Sequence, residues 1–311
     1  MITIRGLRKS YGTDLVLDGI DLTVAGGTVF ALLGPNGAGK TTMVEILSTL
    51  LPADAGEVTI GGYDLVRQTA AIRRLIGVTG QYSAVDDLFT GEENLLLMAD
   101  LHHLPKRDGR RRAAELLERF DLVEAARKPS ATYSGGMRRR LDLAMTLMGD
   151  PRLVFLDEPT TGLDPRSRRT MWQIVRDLVA GGVTIFLTTQ ALDEADELAD
   201  HVAVLDRGRI VAEGTPDELK RKIPGGHVSL RFADATGYES AVRLLEARSR
   251  DDETLTLQVP SDGDVRALRD LLTRLDGAAV EVDALSIHTP DLDDVFFAVT
   301  GHASSLEGDR P

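Results

Sequence analysis

The sequence of 311 residues contains no cysteine. Disulfides and thiolate-bound metal sites are therefore excluded, which fits a protein of the cytosol. Basic residues are also scarce, since 36 Lys and Arg stand against 49 Asp and Glu, and the net charge is −13. A dedicated nucleic-acid-binding protein usually presents a broad basic face. We therefore expect no nucleic-acid partner.

Long apolar runs are missing as well. The longest stretch without a charged residue, residues 22–39, has 18 residues but contains five glycines, a proline and an asparagine. That composition argues against a lipid-embedded helix. The first 20 residues alternate apolar and polar positions, which is typical of a strand rather than of a secretion signal. The sequence thus predicts neither a membrane span nor a signal peptide.

Three short apolar segments are typical of strands that are buried on both faces of a parallel sheet, namely residues 29–34, 152–158 and 183–189. A helix is predicted after the first, over residues 41–51, and another between the second and third, over residues 167–182. Strands that alternate with helices indicate an α/β core. Residues 1–30 have the pattern of further strands, and residues 86–150 that of an inserted helical subdomain.

The composition changes near residue 222. From there to residue 311 the chain has 9 basic and 17 acidic residues. Strand-like segments at 227–232 and 254–260 alternate with helix-like segments at 238–247 and 265–275. We therefore expect two domains, residues 1–221 and 222–311, joined through residues 223–226. The second is predicted to be a small α+β domain.

The segment GPNGAGKTT, residues 34–42, lies between the first buried strand and the helix that follows it. This is the pattern of a phosphate-binding loop, in which glycines let backbone N–H groups turn toward an anion at a helix N-terminus. Lys40 is placed to bridge the β- and γ-phosphates, and the Thr41 hydroxyl to ligate Mg²⁺. The predicted nucleotide-binding positions in this loop are Gly34, Pro35, Asn36, Gly37, Ala38, Gly39, Lys40, Thr41 and Thr42.

The sequence favours ATP over GTP. Guanine-specific proteins with this loop commonly recognise the base with an Asn-Lys-x-Asp segment. The chain has only two asparagines, Asn36 and Asn94, and neither is followed by lysine.

The second buried strand leads directly into two carboxylates. Asp157 is placed to hold Mg²⁺ through water, and Glu158 to polarise the attacking water. Phosphoryl transfer needs both, because the metal neutralises charge while another group orients the nucleophile. The alternative is a solvated strand end followed by an Asp/Pro turn, which the four apolar residues before Asp157 make less favourable.

Ser134, Gly135 and Gly136 precede an amphipathic helix, and alone they would indicate only a capped helix. Together with the phosphate loop and the carboxylate pair, the segment YSGGM resembles the LSGGQ signature of ATP-binding cassette (ABC) proteins, with Tyr133 and Met137 at its ends. The resemblance implies a P-loop (RecA-like) ATPase core of α/β class, with an antiparallel β subdomain and a helical subdomain.

Other positions match the family over residues 1–215. Tyr11 stands where the family has an aromatic that stacks on adenine, and Gln81 where a glutamine touches Mg²⁺ and water. Asp164 matches the aspartate of the D-loop. One position departs from the family, because Gln190 replaces the usual histidine that contacts the γ-phosphate. An amide donates hydrogen bonds but does not relay a proton near neutral pH. This leaves Glu158 as the main catalytic carboxylate.

The segment TTQ and residues 213–220 and 289–301 resemble the daunorubicin-resistance subfamily of ABC proteins. The resemblance implies an ATP- and Mg²⁺-dependent subunit that lies on the cytoplasmic face of the cell membrane and drives export of a hydrophobic drug or lipid through a separate membrane subunit. Residues 82–104 are the expected coupling surface. In a head-to-tail dimer with a second copy of the chain, Ser134, Gly135, Gly136 and Asp164 would complete the partner's ATP site.

Two other functions fit the sequence less well. A soluble ABC ATPase acting on ribosomes or DNA generally needs two cassettes in one chain or a long coiled-coil insertion. This chain has one phosphate loop and no room for such an insertion between Lys40 and Asp157. A nucleotide sensor without hydrolysis is disfavoured because Lys40, Asp157 and Glu158 are all present.

The Gln190 departure can be tested by substitution. We expect Gln190→Ala to lower ATP turnover, because it removes the hydrogen-bond donor, and Gln190→His to retain turnover, because histidine also provides a donor. Steady-state ATPase rates of the two variants check this. Unaltered turnover in both would remove Gln190 from the mechanism.

Overall fold

The computed structural model describes residues 1–81, 83–223, 226–261 and 264–301. The chain divides into two compact units, Met1–Pro216 and Asp217–Pro311. The boundary predicted after residue 221 falls inside a helix over Pro216–Lys222. Tyr82, at the start of the expected coupling surface, lies outside the described residues, as do Pro224 and Gly225 of the expected linker.

The first unit contains strands and helices in this order: β1 (Ile2–Tyr11), β2 (Asp14–Val24), β3 (Val29–Leu33), α1 (Lys40–Leu47), β4 (Ala55–Ile60), β5 (Tyr63–Asp64), α2 (Thr69–Arg73), β6 (Ile76–Thr79), α3 (Gly91–Leu101), α4 (Lys106–Arg119), α5 (Gly135–Thr146), β7 (Leu153–Asp157), α6 (Pro165–Ala180), β8 (Thr184–Thr189), α7 (Leu192–Leu198), β9 (His201–Asp206) and β10 (Arg209–Gly214).

Two sheets build this unit. The central sheet has the order β10-β9-β3-β8-β7-β6, in which β10 alone pairs antiparallel. The smaller sheet, in the order β2-β1-β4-β5, is antiparallel throughout. Helices α3, α4 and α5 fall within the span predicted to be helical. The predicted α/β core with an antiparallel β subdomain is confirmed.

The centre of the sheet is held by apolar strands that are buried along their whole length, as their sequences predict. Phe30, Phe186 and Phe155 are neighbours in the register of β3, β8 and β7. The ring centroids of Phe30 and Phe186 lie 5.4 Å apart, and those of Phe155 and Phe186 lie 5.5 Å apart. These distances are typical of favourable aromatic pairs. The three rings therefore lock the strands together in one register.

Helix α1 is shorter than predicted, because it ends at Leu47 rather than at residue 51. Thr49 has a left-handed backbone with φ of 67°, and the Leu50 amide donates to the carbonyl of Glu45. This bonding closes the helix in the manner of a Schellman turn. Leu51 extends the apolar pattern of the sequence beyond the end of the helix, because it packs against the core from the turn that follows α1.

The second unit includes most of α8 (Pro216–Lys222), followed by β11 (His227–Arg231), α9 (Ala235–Leu244), β12 (Ser249–Asp251), β13 (Thr256–Pro260), α10 (Val265–Gly277), β14 (Ala284–His288) and α11 (Leu292–Thr300). Its antiparallel sheet has the order β12-β13-β11-β14. Leu230, Leu257 and Leu275 are buried in a core of its own. None of the helices in the described ranges is both long and apolar enough to span a membrane.

The register of the three phenylalanines gives a stability test. We expect Phe186→Ala to lower the free energy of unfolding of the first unit by about 3–5 kcal/mol, because it leaves a cavity between two rings. Phe186→Leu should lower it by less. Unfolding in urea, followed by the fluorescence of the single tryptophan, Trp172 in α6, reports on this unit. Val66→Ala is the control, because Val66 is exposed and its loss should leave the free energy of unfolding nearly unchanged. If Phe186→Ala changed the free energy of unfolding no more than this control does, the role of the three rings in stability would be contradicted.

Candidate functional site

Three loops with predicted site residues meet at one edge of the central sheet. Strands β3, β8 and β7 are parallel neighbours, so their carboxyl ends lie side by side. Residues 34–39 follow β3, Glu158 follows β7, and Gln190 follows β8. In open α/β sheets this edge is where ligands bind.

The glycine-rich loop has the backbone that its sequence predicts. Gly39 has φ of 109° and is the N-cap of α1, so no side chain covers the first turn of the helix. A Cβ atom on Gly34 would collide with the carbonyl oxygen of Leu205 in the neighbouring strand β9. The glycines thus allow both a left-handed turn and a close backbone approach. The result is a helix N-terminus whose amides are open to an anion.

Lys40 lies beneath this loop with only 5% of its surface exposed. Its Nζ atom donates to the carbonyl oxygens of Gly34 at 2.7 Å and Pro35 at 3.1 Å. The same atom lies 3.8 Å from Oε1 of Glu158. Burial lowers the pKa of Lys40, whereas the negative charges of Glu158 and Asp157 act in the opposite direction. The ammonium group is therefore held between the loop and the carboxylate pair.

The structure brings Thr41 and Asp157 together, although 116 positions separate them in sequence. The Thr41 hydroxyl donates to Oδ2 of Asp157 at 3.2 Å, and the Thr188 hydroxyl donates to the other carboxylate oxygen. Hydroxyl and carboxylate oxygens are the ligands that Mg²⁺ prefers, and one carboxylate with substrate phosphates is a usual set. Gln81 is exposed, and the hydrogen bonds among the described residues include none from Gln81 to Thr41 or Asp157.

Glu158 presents its side chain from a left-handed backbone with φ of 47°, which is uncommon for a residue other than glycine. Its Oε1 accepts a hydrogen bond from Nε2 of Gln190 at 2.6 Å, and its Oε2 accepts one from the Thr161 hydroxyl at 3.3 Å. Its backbone N–H donates to the Thr188 carbonyl at 3.0 Å. Glu158 and Gln190, the two predicted catalytic residues, are thus in direct contact.

Tyr11 lies at the end of β1, and 48% of its surface is exposed. The ammonium group of Lys9 lies 5.7 Å from the centroid of its ring, within the range of a cation–π contact. The ring is therefore held on one side and accessible from solvent.

The signature segment and Asp164 lie against each other. Ser134 is the N-cap of α5, and its hydroxyl accepts from the Met137 amide at 3.3 Å. A Cβ atom on Gly136 would collide with Oγ of Ser167 in α6. That hydroxyl donates to Oδ2 of Asp164 at 2.6 Å, and Asp164 caps α6. Across the described part of the chain, no hydrogen bond joins Ser134, Gly135, Gly136 or Asp164 to residues 34–42.

Tyr133, at the start of the signature segment, is 8% exposed, and its hydroxyl donates to the Ala125 carbonyl at 2.7 Å. It therefore anchors the segment in the helical part of the unit instead of facing solvent. Tyr133, which stands where the family has leucine, thus combines a buried ring with a hydrogen bond that leucine does not form.

Three residues that contact this site were not predicted from the sequence. Thr188 precedes Gln190 by two positions, and its place in TTQ next to the expected histidine position could have indicated it. Ser167 shows no such signal, because its contact with Asp164 depends on the packing of α5 and α6. Arg139 lies within a run of three arginines that a sequence pattern does not distinguish, yet it bonds to the backbone on both sides of Glu158.

Comparison with known proteins places this geometry in a family. The model of the ABC transporter family matches residues 17–161. The chain is 49% identical to the daunorubicin resistance ATP-binding protein DrrA3 of Streptomyces coeruleorubidus, with 96% of each chain covered. It is 46% identical to the daunorubicin/doxorubicin resistance ATP-binding protein DrrA of Streptomyces peucetius, over 97% of this chain and 92% of that protein.

Among solved structures, the chain is similar to an ATP-binding cassette that was determined as a dimer in a post-hydrolysis state bound to ADP and Pi. The TM-score is 0.63 at 25% identity, with 69% of this chain and 98% of the other covered. Similarity to the resistance proteins over nearly the full chain and the cassette fold lead to one assignment. The chain belongs to the ATP-binding subunits of ABC transporters, in the daunorubicin/doxorubicin-resistance group, and is a nucleotide-binding ABC ATPase.

Proposed function

We propose that the chain hydrolyses Mg²⁺-ATP at the edge of its central sheet and uses the energy to drive export of a hydrophobic drug or lipid through a separate membrane subunit. The observation that supports this most directly is the position of the Glu158 carboxylate. It lies 2.6 Å from the Gln190 amide and 3.8 Å from the Lys40 ammonium, beside the bonded pair Thr41 and Asp157.

In the proposed ATP complex, residues 34–42 surround the phosphates and Tyr11 stacks on adenine. The open N-terminus of α1 provides amides for the β-phosphate. Lys40 exchanges its bonds to the Gly34 and Pro35 carbonyls for bonds to the β- and γ-phosphates. Because the amine is buried, a phosphate partner stabilises its charged form more than it would at the surface.

Thr41 and Asp157 are the residues that would hold Mg²⁺, Asp157 through water, with Gln81 as a further oxygen ligand. Mg²⁺ bound there would neutralise charge on the phosphates. Asp157 is oriented for this task by the hydroxyl of Thr188, and it is only 4% exposed.

Glu158 is proposed to orient the attacking water and to accept its proton. Gln190 has two amide N–H groups, of which one holds Oε1 of Glu158 and the other is available for the γ-phosphate. Gln190 thus aligns the carboxylate with the phosphorus without taking a proton itself. This division fits general-base catalysis, in which geometry comes before pKa.

The ATP site is proposed to be completed by a second copy of the chain. Ser134, Gly135, Gly136 and Asp164 form one contiguous surface through Ser167, separate from the Lys40 loop. In a head-to-tail dimer this surface covers the γ-phosphate bound by the partner, so two sites form by symmetry. The dimer in the solved relative supports this arrangement.

The proposed cargo and location rest on the relatives. The names of the two resistance proteins connect them with daunorubicin and doxorubicin. We extend this to a hydrophobic drug or lipid as cargo of a separate integral membrane subunit. The chain itself would lie on the cytoplasmic face of the membrane as a peripheral subunit, with residues 82–104 as the coupling surface.

The Mg²⁺ assignment predicts a selective loss. We expect Thr41→Val to weaken ATP binding about 10-fold with Mg²⁺ present and by less than about twofold in EDTA, because the hydroxyl contacts the metal and not the phosphate. Lys40→Met should weaken binding about 10-fold or more under both conditions, since a buried charge-assisted bond is lost. Isothermal titration calorimetry measures both. Equal losses for Thr41→Val with and without Mg²⁺ would remove Thr41 from the metal site.

The transport assignment predicts the partner. Tagged Glu158→Gln protein, which should trap the ATP-bound dimer, is recovered from detergent-solubilised native membranes with ATP, and its partners are identified by mass spectrometry. We expect a multi-span membrane protein, enriched relative to a Lys40→Met control that does not bind ATP. Ribosomal or other soluble partners without a membrane protein would contradict export and favour a soluble ABC ATPase.

A further inference from the structure

The side chain of Arg139, in the second turn of α5, is enclosed behind the turn that presents Glu158. Only 8% of its surface is exposed. Its Nη2 atom donates to the Asp157 carbonyl at 3.0 Å, and its Nε atom donates to the Pro159 carbonyl at 2.9 Å. These two carbonyls flank Glu158 in the chain. One planar guanidinium therefore holds the backbone on both sides of the proposed catalytic carboxylate.

The turn at Glu158 needs such support. A left-handed backbone at a residue other than glycine is strained, and it persists only when the surroundings hold it. The Glu158 amide donates to the Thr188 carbonyl in β8, and within the turn the Thr161 amide donates to the Glu158 carbonyl at 3.3 Å. Arg139 lies earlier in the sequence, on α5, and donates to the carbonyls of the residues before and after Glu158, Asp157 and Pro159.

The third nitrogen of the guanidinium links a further loop. Nη1 donates to the Gly80 carbonyl at 2.8 Å, directly before Gln81, and to Oδ2 of Asp142 at 3.3 Å. Oδ1 of Asp142 accepts from the Ala84 amide at 3.1 Å. The pair of Arg139 and Asp142 thus holds the loop that contains Gln81 at two points. Asp142 is 2% exposed, so the pair is buried as a unit.

Charge alone does not explain this arrangement. Burial lowers the pKa of Arg139 and raises the pKa of Asp142, and their mutual attraction opposes both shifts. A buried ion pair is weak evidence for stability, because the loss of hydration offsets the attraction. The fixed fork geometry of arginine, however, satisfies three backbone carbonyls from three directions, which a lysine ammonium does not reproduce. The bonds of Arg139 therefore fix the position of the backbone at Gly80, Asp157 and Pro159 more than they stabilise the fold.

We propose that Arg139 is a positioning residue for ATP hydrolysis, which holds the Glu158 turn and the Gln81 loop in register with the signature helix. Ser134 caps the same helix five residues earlier. Contact of the signature segment with the partner's ATP is thereby transmitted through α5 to the catalytic turn of its own chain. This inference rests on the proposed roles of Glu158 and of the dimer, and it assigns no contact between Arg139 and substrate.

The test compares Arg139→Lys with Arg140→Lys in the full chain. Arg140 is the matched control, because it also bonds to backbone carbonyls and a carboxylate, at Phe120 and Asp121, but away from the site. We expect Arg139→Lys to lower kcat at least about 10-fold while ATP affinity changes less than about twofold, since misplacing a catalytic group affects the chemical step. Arg140→Lys should keep both values within about twofold of the unsubstituted chain. Unchanged kcat in Arg139→Lys would overturn the proposal.

A second variant covers the case in which Arg139→Lys does not fold. Arg139→Met with Asp142→Asn removes both charges together, and the side-chain amide that replaces the Asp142 carboxylate keeps an oxygen acceptor for the Ala84 N–H. This double variant should bind ATP with unchanged affinity and show the same fall in kcat. Hydrogen exchange should rise in peptides covering residues 80–84 and 157–160, and not in residues 119–122. Unchanged exchange in the first two segments would also overturn the proposal.

A double-mutant comparison separates this inference from the proposed function. If Arg139 acts through Glu158, adding Arg139→Lys to Glu158→Gln causes no further loss of ATPase activity and leaves ATP affinity unchanged. If ATP affinity collapses in the double variant, the role of Arg139 is structural and the inference fails. If Glu158→Gln alone keeps the original turnover, the proposed role of Glu158 fails, whatever Arg139 does.

Discussion

The burial of strand β7 is the constraint on which the rest of the site depends. All five of its residues are buried, and the strand pairs with β8 on one side and β6 on the other. A strand with polar groups at its end and apolar side chains along its length has one favourable position, at the centre of a covered sheet. Asp157 and Glu158 are therefore delivered to the carboxyl edge as a consequence of core packing. Their position therefore depends on the four apolar residues that precede Asp157 in the strand, Leu153–Leu156.

Strand register is the second requirement, because the site is assembled from segments that lie 116 and 32 positions apart in the sequence. The contact between Thr41 and Asp157 joins α1 to β7, and the contact between Glu158 and Gln190 joins the ends of β7 and β8. A one-residue slip of a strand would turn each side chain to the opposite face. The paired rings of Phe30, Phe186 and Phe155 resist such a slip, so the packing of the core also fixes the site.

Elements were predictable where a local pattern reflects burial. The apolar runs predicted β3, β7 and β8 to within one residue, and the glycine-rich loop predicted the open helix N-terminus. The end of α1 was predicted four residues too late, because Leu51 is apolar for packing of a turn and not of a helix. Several elements of the first unit were not predicted, namely β4, β5, β6, β9, β10, α2 and α7, and neither were α8, β12, β14 and α11. The three residues of β12 are all polar, and β14 alternates Leu285 and Ile287 with polar residues over only five positions, so pairing with β13 and β11 defines these strands.

The sequence by itself determined the family, the phosphate loop and the identity of the two carboxylates, because each depends on residue types at short, fixed spacing. It also showed that an amide replaces histidine at position 190. Only the tertiary structure decided what that amide touches, and that Ser167 joins the signature segment to Asp164. It alone distinguished Arg139 from the arginines on either side of it. Contacts of this kind depend on the direction of a side chain from a packed helix, and three adjacent arginines on a helix point in three directions.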